Sequence, residues 1–111
     1  MEDYLTKAYY LIKFHIKGIL INDNGGKILG RILERNISIK HLYVQWNLIS
    51  CDGGEYIAKG LSENKSLKVL DLSNNNMGGS GKHWARFFMS KNEFLVHLDL
   101  SYNMFGLEDI Q

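Results

Sequence analysis

Three segments of the chain carry one pattern at a fixed interval. They are IKHLYVQWN at residues 39–47, LKVLDLSNN at residues 67–75 and LVHLDLSYN at residues 95–103, so both intervals are 28 residues. Each has aliphatic residues at its first, fourth and sixth places and an asparagine at its ninth. A constant period of this size constrains the fold more than any bulk property does. Each unit must be one supersecondary element that cannot bury its apolar face alone, so successive units stack. Function is then expected on a surface repeated along the stack rather than in a closed pocket.

The same interval carried backwards reaches Leu11, Phe14 and Ile16, a fourth and degenerate copy with Ile19 where the asparagine belongs. Its turn is expected to be looser or differently shaped. The stretches between copies also keep register: Gly25, Gly53 and Gly81, then Asn36, Asn64 and Asn92. Between them lie Ile28-Leu29 and Ile32-Leu33, Tyr56-Ile57 and Gly60-Leu61, Trp84-Ala85 and Phe88-Met89. Pairs at i, i+1, i+4 and i+5 form one stripe on a helix. Arg31, Glu34, Lys59, Glu63, Lys82 and Arg86 fall on the opposite, charged face. The pattern therefore predicts strands near 11–17, 39–45, 67–73 and 95–101, and helices near 1–7, 26–35, 54–63 and 82–91. The glycines are expected to open each helix or its preceding loop, and the asparagines to close the helix in the left-handed conformation that Asn tolerates. Gly60 takes an inward place held elsewhere by Ile32 and Phe88, which predicts either a shallow gap or Phe88 filling it.

In-register strands of successive units pair as a parallel sheet. Neighbouring strands lie about 4.8 Å apart, whereas packed helices need about 8–10 Å. The array must curve, with strands inside and helices outside.

These motifs resemble the leucine-rich repeat family, and the 28-residue unit with a full helix resembles its ribonuclease-inhibitor-like subclass. The resemblance covers nearly the whole chain and implies an α/β fold. That fold is a right-handed leucine-rich repeat solenoid, a horseshoe segment with a parallel sheet on the concave face and helices on the convex face. Residues 1–111 read as a single array of about four repeats. Residues 1–7 shifted by one period fall on the second half of a helix, and the last copy breaks off where its helix should begin. Neither end carries a polar cap, so the chain is expected to be a slice of a longer array or docked end-on to further repeats or neighbouring subunits.

Because strand side chains alternate between faces, the residues between the aliphatic positions project from the concave face and line up across repeats. One lane is Lys13, His41, Val69 and His97; the next is His15, Tyr43, Asp71 and Asp99. Then come Lys17, Gln45, Ser73 and Ser101, and at the rim Gly18, Trp46, Asn74 and Tyr102. The family typically binds another macromolecule on this face. Trp46 and Tyr43 are the expected anchors, since exposed aromatics cover large areas at low entropic cost. His41, Gln45, Asp71, Asp99 and Tyr102 complete the candidate surface, which runs from basic to acidic along the array. Asn47, Asn75 and Asn103 are expected to be structural, their amides bonding backbone groups at the strand ends.

Composition excludes more than it selects. A net charge of +1 gives no field that favours nucleic acid or an anionic membrane. No apolar run reaches membrane-spanning length, the first residues do not read as a signal peptide, and Cys51 stands alone, so a cytoplasmic protein is expected. The glycosylation sequons at Asn36 and Asn64 are a product of the repeat. Asp71 and Asp99, about 5 Å apart by strand spacing, lie open to water and lack a cleft that would set them apart as acid and base. GGSGK at residues 78–82 lacks the first glycine and the Ser/Thr of a phosphate loop. His41 and His97 are two strands apart, roughly 10 Å, too far to share one zinc. No cofactor and no enzymatic activity is expected. The expected role is a non-catalytic protein-interaction module. The alternatives are a building block of a large cytoskeletal or ciliary assembly, or part of a ligand-sensing array of a cytosolic immune-type receptor.

Overall fold

The computed structural model describes residues 13–90 and 92–105 of the 111. The helix expected near 1–7, the first two residues of the first strand and the segment after Phe105 lie outside these. Among the described residues, four short strands alternate with three helices. They are β1 (Lys13–His15), α1 (Asp23–Arg35), β2 (His41–Tyr43), α2 (Cys51–Glu63), β3 (Val69–Asp71), α3 (Gly81–Met89) and β4 (His97–Asp99). The sheet is parallel in the order β1-β2-β3-β4. Its register, Phe14 beside Leu42 beside Leu70 beside Leu98, is the 28-residue period seen in space. Backbone pairing runs past the strands on the same side. Val44 N–H donates to Asp71 O at 2.8 Å and Leu72 N–H to Asp99 O at 2.9 Å.

The aliphatic motif positions form the core. Ile39, Leu42, Val44, Leu67, Leu70 and Leu72 are buried beneath Leu29, Ile32, Leu33, Ile57, Leu61 and Trp84 of the helices. Each such side chain contributes about 1.5–3 kcal/mol of apolar burial. The helix faces carrying Arg31, Glu34, Lys59 and Arg86 are exposed, as their spacing dictates.

The first two helices start two residues before their glycines, whereas α3 starts at Gly81 itself. α1 opens at Asp23 because Asn22 caps it, its side chain accepting from Gly25 N–H at 3.2 Å. α2 opens at Cys51 under a cap from the preceding repeat. Asp23 accepts from Ser50 N–H at 2.7 Å, from the Ser50 hydroxyl and from Gly53 N–H at 3.1 Å. Burial alone would raise the Asp23 pKa, but these donors from Ser50 and Gly53 hold it below its ordinary value. In the third unit a 3₁₀ turn, Gly78–Ser80, replaces that first helical turn.

Two expectations fail. Asn36 and Asn64 do not close their helices in the left-handed region; their φ is −75° in both cases. Their buried amides work sideways instead. Asn64 Oδ1 accepts from Ser66 N–H at 2.9 Å and Leu67 N–H at 2.7 Å, while its Nδ2 donates to Leu33 O of the preceding unit at 2.8 Å. Asn92 repeats this toward Leu61 O at 3.1 Å. An extended backbone is what lets the amide span two units. Second, Phe88 is 65% exposed and does not share the buried setting of Ile32. Nor is Gly60 a gap. A Cβ there would lie 2.1 Å from Gly30 O, and one on Gly30 would lie 2.4 Å from Tyr56 O. The missing side chains let α1 and α2 meet backbone to backbone.

The candidate binding face

The ninth-position asparagines set the geometry of the open sheet face. Asn47 Nδ2 donates to Ile16 O at 2.9 Å and Val44 O at 3.0 Å, and its Oδ1 accepts from Ile19 N–H at 3.0 Å and Ile21 N–H at 2.9 Å. Asn75 reaches Val44 O at 3.1 Å and Leu72 O at 3.0 Å; Asn103 reaches Leu72 O at 2.9 Å and Leu100 O at 3.0 Å. Each amide thus serves its own strand end and that of the unit before. Ile19 is not a loss to its own turn, because Asn47 holds that turn from the next unit. Leu20 has φ 64°, unlike its counterparts Leu48 and Asn76 but like Met104, its counterpart in the last unit, at φ 58°, so this turn shape does not follow from the missing asparagine.

The same construction explains the rim. Gly18, Trp46, Asn74 and Tyr102 all have φ between 57° and 65°. The left-handed backbone turns the chain away from the sheet at this place in every unit. It costs a non-glycine residue roughly 1–2 kcal/mol, and here it projects large side chains outward. Trp46 is 58% exposed and Tyr102 77% exposed.

Tyr43 sits differently. It does not join Trp46 in a ring contact; it stacks on His15 with ring centroids 4.4 Å apart and planes 13° from parallel, and lies 6.4 Å from the His41 ring. Its hydroxyl is 3.5 Å from His41 Nδ1. The His15 stack was missed in the sequence, although the register of 15 against 43 contained it. Gln45 is half-buried, and its side-chain oxygen is enclosed with no donor facing it.

Asp71 and Asp99 share one arrangement. Oδ1 of Asp71 accepts from Ser73 N–H at 3.0 Å and the Ser73 hydroxyl at 2.7 Å. Oδ1 of Asp99 accepts from Ser101 N–H at 2.9 Å and the Ser101 hydroxyl at 2.5 Å. The Ser101 hydroxyl and then its N–H hold the Asp99 carboxyl below the ordinary range, against partial burial, with His97 nearby adding to the effect. The carboxylates are fixed by their own strands, each with Oδ2 turned free. Lys13 and His15 on β1 and Lys17 just after it are exposed. The face therefore runs from cationic at β1 through aromatic at β2 to anionic at β3 and β4.

Other groups do not converge. Among the described residues no set of three His, Cys, Asp or Glu side chains could hold a metal ion, and no helix is long and apolar enough to cross a membrane. His83 lies on α3, 3.5 Å from Glu55 on the far side of the molecule. A shallow groove of about 330 Å³ opens at the last described unit between Phe87, Phe88, Leu95, Val96 and Leu98.

Stacked strand–turn–helix units with one parallel sheet define a repeat protein of the α/β kind. The model of the leucine-rich repeat family matches residues 63–81 and residues 91–111, two successive units of the period, and supports a leucine-rich repeat protein. Domains of this family generally mediate protein–protein interaction and are generally non-enzymatic. The search of curated proteins returns no match.

Proposed function

We propose that this chain is a right-handed, ribonuclease-inhibitor-like leucine-rich repeat array, working in the cytoplasm as a non-catalytic module that binds a protein partner through the concave sheet face. The observation that carries this reading is the rim. Trp46 and Tyr102 are held exposed on a backbone fixed by the asparagine ladder, beside the free carboxylate oxygens of Asp71 and Asp99. A backbone already fixed beneath large side chains has less entropy to lose on binding, which is how a surface of modest area gains affinity. The right-handed sense follows from the strong preference of parallel strand–helix–strand connections for that hand. Trp46→Gly with Tyr43→Ala is the test. Gly18 shows that glycine fits this backbone, so the circular dichroism and melting of the variant should stay close to wild type. Capture of protein partners should fall at least tenfold, and unchanged capture would overturn the reading.

A second reading, a building block of a cytoskeletal or ciliary assembly, is favoured by one observation. Phe88, Met89 and Val96 present exposed apolar surface at the last described unit, where an assembly would make end contacts.

A further inference from the structure

The sheet face is complementary to itself. A rotation by half a turn about an axis parallel to the strands, lying between β2 and β3, exchanges β1 with β4 and β2 with β3. It keeps each row level, so His15 of β1 comes over the second copy's Asp99, which offers an unengaged Oδ2, with exposed Lys13 and Lys17 to either side along the chain and Lys13 over the second copy's His97. Among the described residues neither lysine has an ion-pair partner. The same rotation sets the Tyr43 hydroxyl toward the second copy's Asp71, whose Oδ2 is also unengaged.

The rim shows the same relation in size, independently of charge. Along the stack it reads Gly18, Trp46, Asn74, Tyr102, all on one backbone conformation. Exchange of first with fourth and second with third puts Tyr102 against the second copy's Gly18 and Trp46 against its Asn74. At each contact a large exposed side chain meets a smaller one. The alternative half turn, about an axis across the strands, would lay β1 on β1 and β4 on β4, with like charges opposed and the two rims at opposite ends. The charge pattern selects the first arrangement, and only that arrangement brings the two rims together. A net charge of +1 leaves little long-range repulsion between copies.

We propose that the partner of this face is a second copy of the chain, paired as a two-fold dimer with β1 of each over β4 of the other. The proposal rests on the sheet-face reading above. A two-fold contact is made twice, so each favourable pair counts double, and rim-exposed ion pairs give orientation more than strength.

The experiment is sedimentation of the full chain over a concentration series, for wild type and two charge-reversed variants, Lys13→Glu/Lys17→Glu and Asp71→Lys/Asp99→Lys. Wild type should dimerise, more weakly at 0.5 M salt. Each variant alone opposes like charges at both ends and should dimerise at least tenfold more weakly. An equimolar mixture of the two opposes unlike charges at both ends and should restore the dimer. Gly18→Trp carries no charge change and fills the space required by Tyr102; Trp46 shows that the backbone there accepts tryptophan. It too should weaken pairing at least tenfold. Should the lysine variant of the aspartates not fold, Asp71→Asn/Asp99→Asn keeps acceptors for Ser73 and Ser101 and should weaken pairing, and mixing it with the glutamate variant should restore the dimer only in part, because unlike charges then face at one end alone. A wild type that stays monomeric to millimolar concentration overturns the dimer while leaving heterologous binding by this face standing. A dimer indifferent to all these variants overturns the arrangement.

Discussion

At the scale of single residues, the asparagine ladder distributes its load. Val44 O receives amides from both Asn47 and Asn75, and Leu72 O from both Asn75 and Asn103. Removing Asn75 therefore leaves each carbonyl one donor. The group it orphans is Ile49 N–H, bonded to Asn75 Oδ1 at 3.2 Å and buried. Asn75→Ala should cost about 1–3 kcal/mol, the penalty for one buried donor left unmade, rather than a sum over all its bonds. Asn47→Ala/Asn75→Ala removes both donors to Val44 O. The double variant should be less stable than the two single losses predict by roughly 1–2 kcal/mol, read from urea denaturation as a double-mutant cycle. Strict additivity would refute the shared load.

Asp23 makes a second prediction at this scale. Its pKa is lowered in the folded chain from an ordinary 3.8. The unfolded chain therefore binds the proton more readily, and the stability from this carboxylate is present above that ordinary value and lost as pH falls through the folded one. Asp23→Asn should be destabilised relative to wild type at pH 7, by about 1 kcal/mol for a weakened helix cap. The difference should shrink as pH drops below about 4, in paired urea titrations at pH 7 and pH 3. A difference independent of pH would mean that the ionised form adds nothing to the cap.

At the scale of elements, α1 and α2 meet where glycine faces glycine. Helix propensity alone predicts that Gly60→Ala gains about 0.5–1 kcal/mol. The contact predicts the reverse. The new Cβ would stand 2.1 Å from Gly30 O, a backbone atom with no rotamer to yield. Gly60→Ala should destabilise by roughly 1–3 kcal/mol or more, lowering the melting temperature, and a rise would sink the close-packing account. Gly60 also marks the limit of what the sequence carries. The period alone places the strands, their register and the buried Leu and Val positions, because stacking forces equivalent residues into equivalent sites. It does not carry what passes between units. The reach of Asn47 into the preceding turn, the cap that Asp23 supplies to α2 and the Gly30–Gly60 contact all join residues 28–30 positions apart. A local reading sees a missing asparagine and a hole. The candidate face was legible as lanes of residues, but the left-handed backbone under Trp46 and Tyr102 and the stacking of His15 on Tyr43 follow from spatial packing.

At the scale of the whole molecule, stability in a stack is a sum of unit terms and nearest-neighbour contacts, so it need not be uniform. The middle units bury their motif residues fully: Leu42 and Leu70 are at most 2% exposed, as are Val44 and Leu72. In the last described unit Leu95, Leu98 and Leu100 are only partly buried, and Val96, Phe88 and Met89 are largely exposed. Each exposed aliphatic side chain forgoes much of the roughly 1.5–3 kcal/mol that burial supplies. The last unit is also joined through the shorter α3, whose first turn is 3₁₀ rather than α-helical. Opening should therefore start there and propagate inward. In hydrogen exchange, amides of α3 and β4 should exchange through a sub-global opening well below the free energy of complete unfolding, while those of β2, β3 and α2 should approach the global value. If a partner or a second copy covered the sheet face, protection would rise most across β4, because its baseline is lowest. Uniform protection along all units would show instead that the array unfolds as one cooperative block and that the exposed apolar residues of the last unit cost it nothing.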